Sequence, residues 1–137
     1  MKKSMWLGAG LLALSMSSQA GELFLTINSG SAMTQGAGLV LASQALEQKA
    51  AVRVLLCDAG ADIAVTGKEM PLLKPKNVTA QQMLQGLIKA GATVEVCALY
   101  LPNTGRQASD LIAGVTAGKP ADVASYFLKP GVTTLAF

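Results

Sequence analysis

The chain has 137 residues, 51% of them apolar, with 11 Lys and Arg, 8 Asp and Glu, and no histidine. Removing the first twenty as a leader takes Lys2 and Lys3 with them, leaving 137 − 20 = 117 residues and a net charge of 9 − 8 = +1. That length suits one packed domain and is too short for two, the charge gives no case for nucleic acid, and the apolar content excludes disorder.

Lys2 and Lys3 form a basic n-region, residues 5–16 an apolar stretch rich in Leu, Ala and Gly, and Ser18-Gln19-Ala20 a small-x-small cleavage pattern. Residues 1–20 are therefore predicted to be a signal peptide and residues 21–137 a single mature domain, periplasmic or secreted. The apolar run is shorter than the roughly 20 residues of a membrane span, so no stable span is expected after cleavage. With no cysteine near the cut, no lipid anchor is expected either.

Leu23-Phe24-Leu25-Thr26-Ile27 predicts a first strand, and Asn28-Ser29-Gly30-Ser31 the turn after it. Leu39, Val40, Leu41 and Leu46 at helical spacing predict a helix from about residue 34 to 48, weakened by Gly36 and Gly38. Residues 52–57 predict a second strand that ends on Cys57. Residues 67–77, with Pro71, Pro75 and three lysines, read as a surface loop after a turn of helix. Thr79 and Gln82 form a capping box, Val78 and Met83 a hydrophobic staple, and Gly91 a C-terminal stop. The helix between them would bury Met83, Leu84, Leu87 and Ile88. Residues 93–98 predict a third strand carrying Cys97, and residues 99–105 a loop behind it. A short helix over 107–112, a short strand over 114–116, a proline-led helix over 120–128 and a last strand over 132–137 complete the chain.

Strands alternating with helices predict a three-layer α/β sandwich around a mainly parallel sheet of about five strands, both faces covered by helices. Ligands in such sheets gather beyond the carboxyl ends of the strands. Cys97 and the Ser29-Gly30-Ser31 turn both lie at such ends. The turn either presents amides and hydroxyls to an anion or simply joins strand to helix.

Cys97 is open between a small buried hydrophobe, a site of persulfide or redox chemistry, and half of a disulfide. Cys57 is weighted toward burial. A 2-1-3 strand order would hold their strands about 9.6 Å apart, two strand spacings. That exceeds the disulfide range of about 4.4–6.8 Å between Cα atoms. Arg106 or loop amides would supply positive potential for a thiolate. Lys68, Lys74 and Lys76 would be solvated or would meet an acidic partner, and Asp58 and Asp62 would serve turns and caps.

With no histidine there is no Cys-His or Ser-His pair and no histidine metal site, and two cysteines alone do not make a zinc site. No C-x-x-C, dinucleotide fingerprint or phosphate loop occurs. No metal and no cofactor is expected.

The succession Leu25-Thr26-Ile27-Asn28-Ser29-Gly30, a helix with Leu39, Ala42 and Leu46, and then Val52-Arg53-Val54-Leu55-Leu56 resembles the DsrE/DsrF-like sulfur-relay family. So do the segment from Ala90 through Thr93-Val94-Glu95-Val96-Cys97, the Gly114-Val115 step and the terminal Thr134-Leu135-Ala136-Phe137, so that the likeness spans residues 22–137. The resemblance implies a DsrE-like fold assembled as a homotrimer or homohexamer. It also implies a cysteine, here Cys97, that accepts sulfane sulfur as a persulfide and passes it on. Sulfur donor and acceptor proteins or small sulfur compounds would be the partners. The competing readings are a non-catalytic oligomeric binding module of the same fold and a thiol redox protein using Cys97 with Cys57.

Overall fold

The computed structural model describes residues 20–137; the predicted signal peptide lies outside them except for Ala20. The elements run β1 (Glu22–Ile27), α1 (Ala32–Glu47), β2 (Ala51–Leu56), a 3-10 helix (Asp58–Ala64), α2 (Ala80–Lys89), β3 (Thr93–Val96), α3 (Tyr100–Thr104), a 3-10 turn (Ala108–Asp110), β4 (Val115–Ala117), α4 (Pro120–Phe127) and β5 (Val132–Ala136). All neighbouring strands pair in parallel, in the order β4-β3-β2-β1-β5. The expected α/β sandwich is present.

The strand order differs from 2-1-3, and the placement of the helices gives the physical reason. A right-handed crossover puts its helix on a face set by the direction in which the chain steps across the sheet. Successive helices share a face only if the chain keeps stepping the same way. Leu39 and Ala42 of α1 and Leu84 and Leu87 of α2 share one buried cluster with Leu25, Ile27, Val54, Leu56, Val94 and Val96. β1, β2 and β3 therefore follow one another across the sheet, and β2 lies next to β3. The return from β4 to β5 crosses back over the other face, where Phe24 packs on Tyr126 and Phe127 of α4 with ring centroids 6.1 and 5.7 Å apart.

The two faces are not equally covered. Along β2, Val52, Val54 and Leu56 are buried beneath α1 and α2, while Arg53 and Leu55 on the α4 side are only partly covered. Arg53 binds Glu95 of β3 through two hydrogen bonds of 2.8 and 3.0 Å and lies 5.1 Å from the Tyr126 ring centroid. Full burial of each large apolar side chain beneath α1 and α2 contributes about 1.5–3 kcal/mol. The eight residues of α4 shield far less.

Local signals explain the helix boundaries. Ser31 caps α1 by accepting from the Thr34 amide, so the helix starts at Ala32, ahead of the expected Thr34. Gly38 is tolerated because a Cβ there would stand 3.1 Å from the Phe137 ring. The capping box of α2 is complete: Thr79 Oγ1 accepts from the Gln82 amide at 3.1 Å, and Gln82 Oε1 accepts from the Thr79 amide at 2.8 Å. Leu84 and Leu87 are buried, with Met83 and Ile88 packed at the margin. The expected loop at residues 99–105 contains α3 instead. Pro102 is its third residue, where a helix has no internal use for the amide, and Gly105 ends it at φ 65°.

Candidate functional site

The in-register pairs Leu55↔Glu95 and Leu56↔Val96 place Cys57 opposite Cys97, one step beyond the last rungs of β2 and β3. The Cys57 amide donates to the Ile27 carbonyl at 3.0 Å and the Cys97 amide to the Leu56 carbonyl at 2.8 Å, so both backbones are fixed to the adjoining strand. Strand alternation directs both side chains to the thinly covered α4 face. Both are free thiols and both are half-buried. The expectation that they stand two strand spacings apart is therefore corrected, and with it the reading of Cys57 as a buried small hydrophobe.

The two thiols open into a cleft of about 990 Å³, bounded by Asp62, Tyr100, Arg106 and Val123. The turn after β2 brings Asp62 there. Asp58 adopts φ 49°, a left-handed conformation that aspartate tolerates better than most residues. Gly60 donates its amide to the Asn28 carbonyl at 3.1 Å. A Cβ on Gly60 would fall 2.2 Å from the Ile27 carbonyl oxygen, so only glycine lets this turn lie against the end of β1.

Tyr100 is buried, donates its hydroxyl to Asp62 Oδ1 at 2.6 Å, and lies beneath the Arg106 guanidinium, 5.7 Å from its ring centroid. Lys68 pairs with the other oxygen of Asp62. Burial raises the Asp62 carboxyl, but hydrogen bonds from Lys68 and Tyr100 and the charges of Lys68 and Arg106 outweigh it and hold the group below its ordinary value. The Tyr100 hydroxyl is pushed up by burial, then by its bond to Asp62. Burial also pushes the Cys57 thiol up to about 12, assisted by hydrogen bonding with and charge repulsion from Cys97 and by the nearby Asp58. Cys57 is thus a protonated thiol at neutral pH.

Of the residues expected at a site, Cys97 and Arg106 line this cleft, whereas Ser29, Gly30 and Ser31 do not. The Ser31 side chain caps α1, Ser29 Oγ accepts from the Ser31 amide at 3.1 Å, and the Ser29 carbonyl accepts from Gln35 at 2.9 Å. A Cβ on Gly30 would meet Ala59 at 3.0 Å. Strand order reverses between β1 and β5, and there the Asn28 amide bonds to the Phe137 carbonyl at 2.7 Å. Sequence reasoning named Cys57 only as the partner of Cys97 in the thiol redox alternative, and missed Tyr100 and Asp62 as parts of the site. A tyrosine three residues beyond a strand-end cysteine, needing a partner for its hydroxyl, was the available signal. Among the described residues, no group of three or more His, Cys, Asp or Glu is placed to hold a metal ion, and no helix is long and apolar enough to cross a membrane.

This architecture is the DsrE-like α/β sandwich, as comparison with solved structures shows. The ychN protein from E. coli matches with a TM-score of 0.66 and 20% identity, over 85% of this chain and 99% of that one. MTH1491, a protein of unknown function from Methanobacterium thermoautotrophicum, matches with a TM-score of 0.62 and 13% identity over the same shares. No protein-family model matches the chain, and no curated protein matches it.

Proposed function

We propose that this protein is an exported member of the DsrE/DsrF-like family, periplasmic or secreted, that carries sulfane sulfur as a persulfide on Cys97 and hands it to a partner. The observation that carries the reading is a half-exposed thiol at the carboxyl end of a central strand, opening on a cleft with Arg106 in its wall. The shared fold supports it.

The Cys97 thiolate attacks the sulfane sulfur of a persulfide, polysulfide or thiosulfate. The donor's sulfur–sulfur bond breaks, and a thiolate, shorter polysulfide or sulfite leaves. An acceptor thiolate then attacks the outer sulfur of the Cys97 persulfide and restores the Cys97 thiol. These donors are anions, and the Arg106 guanidinium presents a permanent positive charge to them. Tyr100, tethered to Asp62, supports that guanidinium from below.

Assembly as a homotrimer or homohexamer belongs to the same proposal. Met33, Val40 and Leu41 support it, since they leave the outer side of α1 apolar and exposed.

Cyanolysis tests the sulfur chemistry, because cyanide removes sulfane sulfur as thiocyanate. The Cys57→Ser chain, treated with polysulfide or thiosulfate and desalted, is expected to yield one thiocyanate per chain, and the chain lacking both cysteines none. No yield from the first, or an undiminished yield from the second, contradicts the proposal and leaves a binding module as the better account.

A further inference from the structure

The persulfide reading uses only Cys97, yet a second thiol shares its cleft. Neighbouring strands stand about 4.8 Å apart, within the Cα separation of about 4.4–6.8 Å that a disulfide requires. The two cysteines occupy one register step on adjacent strands and point to the same face, and each amide is bonded to the strand beside it. Closing a bridge therefore requires side-chain rotation and no slide of one strand against the other.

We propose that Cys57 is the resolving thiol of this site: its sulfur attacks the inner sulfur of the Cys97 persulfide, closes a Cys57–Cys97 disulfide and expels the outer sulfur as hydrogen sulfide. This rests on the persulfide reading of Cys97. The step balances as Cys97–S–SH + Cys57–SH → Cys97–S–S–Cys57 + H₂S. The bond between the inner and outer sulfurs breaks and the bond between the two cysteine sulfurs forms. The sulfane sulfur is reduced to sulfide while the two cysteine sulfurs are oxidised to the disulfide. The Cys57 proton leaves with the sulfide. Regeneration takes a reduced dithiol protein, which opens the bridge by thiol–disulfide exchange and is itself oxidised. The site then has two exits for its sulfur: transfer to an acceptor thiol that arrives promptly, or release as sulfide when none does.

Burial and the neighbouring thiol keep Cys57 protonated near neutral pH, which delays closure and leaves time for transfer. Because the attacking species is the thiolate, release is expected to accelerate by up to about tenfold per pH unit on the alkaline side.

The test follows one turnover without reductant. Wild type, Cys57→Ser and Cys57→Ala are exposed briefly to polysulfide and desalted, then followed by intact mass and by sulfide assay. In wild type the one-sulfur adduct is expected to decay to a species two hydrogens lighter than the reduced chain, with one sulfide released per adduct lost. Both variants are expected to hold the adduct at least about tenfold longer, because the attacking thiol is absent. An adduct equally persistent in all three, with no disulfide, overturns the resolving role and leaves the Cys97 carrier standing. A disulfide formed without sulfide overturns it as well, since direct oxidation then explains the bridge. No adduct in either variant removes the persulfide reading, and this inference with it.

Discussion

A thiol reacts through its thiolate, so the burial that pushes Cys57 up to about 12 sets an order of events in the cleft. At pH 8 Cys57 is therefore almost wholly protonated. Limited iodoacetamide at that pH should label Cys97 first and Cys57 at least about tenfold more slowly, as read by peptide mass mapping; equal rates would contradict the assignment. Tyr100 and Asp62 make a second prediction. The Asp62 carboxyl is held below its ordinary value, so its contribution to stability is present above the unfolded carboxylate range and is lost as pH falls through the lowered value. Tyr100→Phe removes one of the bonds that lower it. The cost near pH 7 should be about 1 kcal/mol, set below the value for a buried charge because the Asp62 side chain is 33% exposed. In denaturant melts that cost should diminish as pH falls through the lowered Asp62 value, and a cost unchanged by acid would contradict the account. At this scale Cys97 was legible because it ends an apolar strand late in a histidine-free chain. Cys57 as its neighbour was not, because their proximity depends on strand order, which local patterning does not encode.

Among the elements, the turn from β2 into its 3-10 helix holds the site together. It begins at Cys57 and delivers Asp62, and at Gly60 it approaches the β1 carbonyl too closely for any side chain. Gly60→Ala should lower stability by about 2–3 kcal/mol, because the clash is with backbone and cannot be relieved by a rotamer change. An unchanged denaturation midpoint would contradict this. The start of α2 was legible, since its capping box is encoded within a few residues. The α3 helix was not, because Pro102 and Asn103-Thr104-Gly105 look like a loop to any reading by composition. That proline sits in the first turn, where it costs little, and the Arg106 amide closes the helix end on the Leu101 carbonyl at 3.1 Å.

For the molecule as a whole, the α/β class and the parallel sheet followed from the alternation of apolar strands and helices. The β4-β3-β2-β1-β5 order did not, because it turns on which face each crossover helix selects. That order leaves α4 alone on one side, and the open cleft follows from its short reach. It also leaves α1 with apolar side chains on both sides: Leu39 is buried, while Met33, Val40 and Leu41 are exposed at 79%, 50% and 47%. An apolar strip left exposed on a helix whose opposite side is already buried suits a second partner surface. Leu41→Glu should convert the proposed homotrimer or homohexamer into smaller species in size-exclusion light scattering, and an unchanged mass would contradict α1 as the contact.

The central claim is that Cys97 carries the sulfur, and trypsin separates the two candidate residues cleanly. Cleavage after Arg53, Lys68, Lys89 and Arg106 leaves Cys57 in residues 54–68 and Cys97 in residues 90–106. Wild-type protein should be loaded with polysulfide, trapped at once with an alkylating agent and mapped by tandem mass spectrometry. An extra sulfur atom on residues 90–106 alone is the predicted result. An extra sulfur on residues 54–68, or on neither peptide, would contradict it.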